Sequence, residues 1–348
     1  MISRSITPKL LRAFDTPFET TLDFALPPSA QSAPVFTVSE TAWAVAPAGA
    51  CEEAFSWEQE SGAKWLQVTR TPSEYYLSFP GYVDVLVSRD AKRVLFHRGP
   101  GIPWPTIEHL LVDHVIPLVL SLSGESVVHC SAVASRGGAL VFTGKTGQGK
   151  STLAAALALS GCPLLSDDSL LLRRAGREIM AFPSYPSLRL WPEDTQHFEQ
   201  LGAEISDVAH YTSKKRLRMD ARRGAFAEKP IKTTALYVLA NAAAPDGPLQ
   251  QSCPGPDGDT AIAISKLSAR EAFMELVQNS IQMDRVDRVS LKAQSEKLAV
   301  LANAIPAFRL SYPHDHALLP KVVDAVLEHA ASLARADFQN DTEKSRVS

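Results

Sequence analysis

The stretch from Val141 to Asp168 constrains this chain more than any other. The apolar run Ala139-Leu140-Val141-Phe142 is followed by Gly144-Lys145-Thr146-Gly147-Gln148-Gly149-Lys150-Ser151, and then by Thr152 to Ser160, rich in Ala and Leu. The eight residues fit the pattern of a Gly, four free positions, Gly, Lys and Ser or Thr that closes a loop around phosphate. Glycine permits backbone angles a side chain forbids, so successive N–H groups can turn inward on an anion. In such a loop Lys150 reaches the β- and γ-phosphates, the Ser151 hydroxyl ligates Mg²⁺, and the helix opening at Thr152 aims its positive end at the same group. The candidate nucleotide-binding set is therefore Gly144, Lys145, Thr146, Gly147, Gln148, Gly149, Lys150, Ser151 and Thr152. The competing reading is a chance match in a Gly-rich turn. It does not account for a buried strand before the loop and a Pro-free helix after it.

Gly161 ends the helix, Cys162 to Leu165 reads as a short strand, and Ser166-Asp167-Asp168 follows. Ordinary phosphate-loop ATPases carry their metal-binding acid on a much later strand. Here the acids come on the strand directly after the loop helix, with its C-terminal end at the same crevice. Adjacent side chains on a strand point to opposite faces, so the two acids should divide their roles. One can hold a metal and the other accept the proton of an attacking hydroxyl, which is what phosphoryl transfer needs. The alternative is a helix cap or a turn. Ahead of the loop, Ser126 to Ala134 reads as a strand carrying His129, and Arg136-Gly137-Gly138 as a tight turn. The hairpin brings His129 near the loop; a satisfied buried histidine is the plain alternative.

The 348 residues allow two domains, and 45% hydrophobic residues allow a substantial core. A net charge of −3 argues against a general nucleic-acid binder and leaves no polybasic membrane anchor. Cys51, Cys130, Cys162 and Cys253 form no ligand cluster, so neither zinc nor a disulfide framework is expected. The start of the chain has no signal core, and Leu110 to Val128 is too interrupted by Asp113, His114, Pro117 and Glu125 to span a bilayer. The expectation is a cytoplasmic protein that meets neither membrane nor nucleic acid.

Residues 1–100 read as a smaller β-rich domain, with strands at Phe36–Val38, Trp65–Val68, Tyr75–Phe79, Val83–Val87 and Val94–His97 in a small antiparallel sheet. Trp43, Trp57 and Trp65 are expected in its core rather than as ligand platforms. The Gly/Pro stretch from Gly99 to Pro105 marks a boundary, and the second domain runs over 104–334, opening with a helix over Thr106–Leu122 kinked at Pro117. Ala181 to Trp191 reads as extended and loop-like, and Glu193 to Leu201 and Ile205 to His210 as short helices. Lys214-Lys215-Arg216-Leu217-Arg218, with Arg222-Arg223, is either a solvated face or mobile loop, or a loop that folds over nucleotide phosphates or an acidic peptide. Thr233–Ala240, Thr260–Ile264 and Ala307–Tyr312 read as strands, and Ala244–Asp259 as a surface loop. Helices are expected from the capping box Ser268-Ala269-Arg270-Glu271, over Leu291–Ala304 and over Leu318–Ala334, and 335–348 as a fraying polar tail.

From His129 to Asp168 the order of strand with His, turn, strand, phosphate loop, helix, strand and Asp-Asp resembles the C-terminal domain of HPr kinase/phosphorylase. The likeness is specific over about forty residues. Ser184-Tyr185-Pro186-Ser187-Leu188-Arg189-Leu190-Trp191-Pro192 and Phe308-Arg309-Leu310-Ser311-Tyr312-Pro313 look like HPr-kinase-related proteins found beside peptide-modification genes, some of them lasso-peptide kinases. The resemblance implies an α/β fold: a phosphate-loop kinase domain of the HPr kinase/phosphoenolpyruvate carboxykinase type. It also implies an ATP- and Mg²⁺-dependent kinase acting on a serine of a peptide or protein, such as a lasso precursor. It makes Asp167 the base, with His129 orienting it, and gives the metal to Asp168 with Ser151. No Glu-x-Arg-Gly signature follows the Asp pair; Pro186 to Trp191 is its nearest counterpart, and Lys214 to Arg218 is a candidate substitute for the phosphorolysis loop. The resemblance therefore does not extend to phosphorylase activity, HPr as substrate or a hexamer, and leaves a homo-oligomer open. The rival functions are a small-molecule hydroxyl kinase and a nucleotide-binding regulatory protein of little turnover.

Overall fold

The computed structural model describes residues 7–47, 49–58, 62–192, 194–195, 202–219, 225–241, 262–313 and 315–347. The fold is mixed α/β, in two compact units. The first comprises Met1–Val127, Asp207–Lys214 and Ile281–Lys297; the second comprises Val128–Ser206, Lys215–Ser280 and Leu298–Ser348. Residues 104–127, which the Gly/Pro boundary assigned to the second domain, thus fall in the first unit.

In the first unit, strands β1 (Lys9–Ala13), β2 (Thr16–Thr20), β3 (Phe36–Glu40), β4 (Glu52–Glu58), β5 (Lys64–Arg70), β6 (Glu74–Phe79), β7 (Val83–Ser88) and β8 (Arg93–Arg98) form one sheet. Its order is β1-β2-β3-β8-β7-β6-β5-β4. The strict burial alternation of β6 and β7 is what a sheet with one covered face imposes. The sheet is larger than expected and not wholly antiparallel, because β3 runs parallel to both β2 and β8. Trp43 is 81% exposed, against the expectation of a core residue: it lies outside the strands, where nothing covers it. Helix α1 (Trp104–His109) passes through a π-helical turn at Leu110–Val115 into α2 (Ile116–Leu122). The expected kink is this widened turn, for Pro117 has no N–H to complete the α-helical pattern before it. Trp104–Leu122 is long and apolar enough to cross a membrane, but 78% of its most apolar window is buried in this fold.

One carboxylate ties the 281–297 segment to this sheet. Asp284 is 4% exposed. Its Oδ2 accepts from Tyr75 Oη at 2.9 Å and Arg70 Nη1 at 3.1 Å, and Oδ1 accepts from the N–H groups of Val286 and Asp287 at 3.0 and 2.9 Å. Burial, the largest single influence, pushes its pKa up. The two N–H groups, Tyr75 and Arg70 outweigh it and hold the group below the ordinary 3.8.

The second unit is built on a sheet ordered β12-β10-β11-β18-β14-β13-β9, extended by β20 beside β18 and β19 beside β20. The strands are β9 (Ser126–Val128), β10 (Ser131–Ser135), β11 (Gly138–Thr143), β12 (Leu164–Ser166), β13 (Leu170–Ala175), β14 (Glu178–Phe182), β18 (Ile231–Asn241), β19 (Ala263–Lys266) and β20 (Ala307–Tyr312). β15 (Ser187–Leu190), β16 (Gly202–Asp207) and β17 (Lys215–Met219) form a small sheet of their own. The helices are α3 (Lys150–Leu159), α4 (Ala269–Gln278), α5 (Arg288–Ala304) and α6 (Leu319–Val347).

The hairpin β10–β11 is antiparallel, and β11, β18 and β20 run parallel side by side. Their C-terminal ends therefore meet one edge, the edge at which β11 delivers residues 144–149. Leu153, Ala154 and Leu157 of α3 pack with Phe142, Tyr237 and Leu310 on one side of the sheet, while Val141, Leu236, Leu276 and Leu301 belong to a separate core cluster.

Several expectations change here. The strand over Ser126–Ala134 breaks at His129-Cys130. Ser187–Leu190, read as extended and loop-like because of the nearby Pro183 and Pro186, is a strand paired with β17. Ile205–Asp207 is strand, not helix. The basic run is a paired strand with Arg216 and Leu217 buried, not a solvated face or loop, because β15 supplies its hydrogen bonds. Residues 335–347 continue α6 rather than forming a tail, since no Gly or Pro stops the helix. The Ala244–Asp259 loop and Arg222-Arg223 lie outside the described residues.

Asp284→Ala should lower unfolding free energy by about 3 kcal/mol, leaving Arg70, Tyr75 and two N–H groups without their carboxylate. A carboxyl with a depressed folded pKa adds stability that is present above its unfolded value and lost as pH falls through the folded one. Wild type should therefore lose stability below about pH 4, and Asp284→Asn should flatten that limb; urea titrations from pH 3 to 7 would measure it.

Candidate functional site

The strand β12 ends at Ser166, and the turn after it fixes both acids. Ser166 Oγ bonds the carbonyl of Ser169 and, at 2.9 Å, the Ser184 hydroxyl. Asp168 then adopts φ +70°, a left-handed conformation Asp tolerates better than most residues. The pleat is broken between the acids, so both can face one cluster instead of opposite faces.

Asp167 is 3% exposed and joins three segments. Its Oδ1 accepts from Ser131 Oγ at 2.7 Å and from Ser151 Oγ at 2.8 Å, and its Oδ2 accepts from the main-chain N–H of Arg189 at 3.0 Å. Sequence reasoning paired Ser151 with Asp168; the hydroxyl instead bonds Asp167. Asp168 is ion-paired with the Arg189 guanidinium, and its carboxylate Oδ1 lies 3.5 Å from His129 Nδ1. Arg189 thus contacts one acid through its backbone and the other through its side chain.

His129 sits at the β9–β10 break. Its N–H bonds the Asn279 carbonyl at 2.7 Å, and its own carbonyl accepts from Thr143 Oγ1 at 3.2 Å. Burial, and behind it Lys150 and Arg189, lowers its pKa despite the opposing pull of Asp168. The Asp168 carbonyl oxygen, 2.7 Å from Nδ1, can only accept, so Nδ1 carries a proton. His129 is neither fully buried nor distant from the acids: it grips the main chain of Asp168.

The loop has the shape its residue types demand. Gly144 has φ +141°, and a Cβ there would come within 2.5 Å of Gln148 Oε1 and 3.1 Å of the Leu239 carbonyl. Gln148 Oε1 is needed where it is, because it accepts the Lys145 N–H at 2.8 Å. Thr146 and Gly147 form the turn at the tip. Gly149, φ +82°, caps α3 with no side-chain acceptor on the first-turn N–H groups, an arrangement that can receive an anion. Lys150 is 7% exposed, and its Nζ donates to the carbonyls of Gly144 at 2.9 Å and Lys145 at 3.2 Å. Thr152 Oγ1 turns the other way, to Asp194 Oδ2 at 3.3 Å.

The Ser151–Asp167 pair could hold a divalent cation: two hard oxygens converge beside the Gly144–Gly149 loop, a donor set that suits Mg²⁺ where phosphates and water complete its shell. No group of three or more His, Cys, Asp or Glu among the described residues could hold a metal alone. The neighbouring Cys130 thiol is pushed up by burial and is inert as a nucleophile.

Sequence reasoning missed Ser131 and Asp194 and left Arg189 without a role. Ser131 had one legible signal, a hydroxyl two residues beyond His129 in a run that reads as one continuous strand. β17 lies antiparallel to β15 with Arg216 directly opposite Arg189, so these two cations share a face. Asp194 had no signal.

No protein-family model matches the chain, and no curated protein matches it. A solved structure of the Hpr(Ser) kinase/phosphatase from Coxiella burnetii is distantly similar, with 14% identity and a TM-score of 0.32 over 60% of this chain and 97% of that one. A likeness of that size does not by itself assign an activity.

Proposed function

We propose that the protein is an ATP- and Mg²⁺-dependent kinase that transfers the γ-phosphate to a serine hydroxyl of a peptide or protein. The observation that carries the reading is the Ser151–Asp167 hydrogen bond, which joins the phosphate loop to an acid from the very next strand. The loop N–H groups and Lys150 bind the phosphates. Ser151 and Asp167 would hold magnesium, which supplies charge neutralisation at the β- and γ-phosphates. Asp167 already receives three hydrogen bonds, two of them from hydroxyls, so it serves poorly as a base. We therefore exchange the roles the resemblance implied and give the proton to Asp168. The acceptor oxygen attacks the γ-phosphorus, the bond to the ADP oxygen breaks, and the hydroxyl proton passes to the Asp168 carboxylate. Arg189 and the Nδ1–H of His129 keep Asp168 in position. The first unit is assigned to recognition of the acceptor.

The test is transfer from γ-labelled ATP, with Mg²⁺, to serine-bearing peptides encoded beside the gene. Label on a peptide serine, reduced about a hundredfold or more in Lys150→Ala and Asp167→Asn, is the expected result. Label on a small molecule in the absence of peptide would replace the acceptor class. Bound ATP with no transfer to any acceptor would overturn the kinase reading in favour of a regulatory one. Ser131→Ala, which loosens Asp167 without touching the loop, should lower kcat by about tenfold with little change in thermal midpoint; an unaltered kcat would remove Ser131 from the site.

A further inference from the structure

The phosphate loop has two flanks, and the proposed chemistry lies on one. On that flank stand Ser151, Asp167 and the groups around Asp168. On the other, Thr152 Oγ1 donates to Asp194, which is 6% exposed on its side chain. The second oxygen of that carboxylate lies 3.3 Å from His316 Nε2. One turn back, the Trp191 carbonyl accepts from the N–H groups of Asp194 and Thr195, at 3.0 and 3.2 Å, and from Thr195 Oγ1 at 3.0 Å. Tyr312, four residues before His316, reaches the loop as well: a Cβ on Gly149 would lie 3.4 Å from its hydroxyl. Two distant segments therefore converge on the Thr152 flank of the loop. They carry two exposed side chains: His316, 57% exposed, against the buried Asp194 carboxylate, and Trp191, 46% exposed, three residues before it.

A single exposed tryptophan is ordinary on a protein surface. This one follows a strand end whose main chain is held beside the loop. Its main chain is pinned by three hydrogen bonds, and the carboxylate three residues on is tied to the residue after the metal-side serine. A triphosphate whose γ-end lies at Lys150 and Ser151 must send its nucleoside out over the opposite flank. An exposed indole carried on a main chain fixed beside that flank offers a flat apolar face, and nucleobases stack on such faces.

We propose that Trp191 is the platform on which the base of a purine nucleoside triphosphate stacks, with Asp194 and His316 fixing the wall beside it. The inference rests on the kinase reading only through the phosphate loop. It is tested by calorimetric titration of wild type, Trp191→Ala and Trp191→Phe with ATP and with inorganic tripolyphosphate. Trp191→Ala should weaken ATP about tenfold and tripolyphosphate less than about twofold, while Trp191→Phe keeps most of the ATP affinity. Unchanged ATP affinity in Trp191→Ala, or an equal loss for both ligands, would overturn the stacking site. Wild type that binds neither ligand would overturn the phosphate-loop reading, and this inference with it.

Discussion

The site depends on one buried carboxylate. Asp167 gathers a hydroxyl from the hairpin strand, a hydroxyl from the loop helix and an N–H from β15, and these segments come from three separate parts of the chain. An ionised group so deeply buried is costly unless its oxygens are satisfied. Three donors satisfy it, and their geometry fixes the loop helix against the acid-bearing turn. Everything chemical around it follows: Arg189, drawn in by its backbone, turns its guanidinium on Asp168, and His129 closes on the carbonyl of the same residue. A tie of similar construction, Asp284 with Tyr75, Arg70 and two N–H groups, holds the first unit together far along the sequence.

The cluster also divides labour between two adjacent acids. Asp167 is enclosed and accepts donors from all sides. Asp168 keeps 21% of its side chain exposed and is held from behind by its own carbonyl. A left-handed residue between strand and turn is what allows both to face inward; regular pleating would have thrown one of them to the far side of the sheet.

The strand, glycine loop and helix over Ala139–Leu159 were legible because turn glycines and a Pro-free helix are local signals, and local rules suffice to read them. The β10–β11 hairpin, the strand before the loop and the first-unit strands β3, β5, β6, β7 and β8 were legible for the same reason, since alternation and turn residues are local signals, whereas β1, β2 and β4 were not read. What was not legible depended on partners distant in sequence. Lys215–Met219 reads as a solvated basic run until β15 pairs with it, and Ser187–Leu190 reads as loop until β17 does. Which acid meets Ser151 turns on the φ of Asp168, a single dihedral that no periodicity encodes. Asp194 reaches Thr152 across forty-two residues, with no pattern to announce it.

The central claim is that Asp167, not Asp168, shares the cation with Ser151. The most direct measurement is ATP affinity with and without Mg²⁺ for wild type, Asp167→Asn and Asp168→Asn. The account predicts that Asp167→Asn loses the Mg²⁺-dependent part of ATP binding, while Asp168→Asn binds Mg-ATP like wild type and fails only in transfer. Loss of the Mg²⁺ effect in Asp168→Asn, with Asp167→Asn retaining it, would contradict the account.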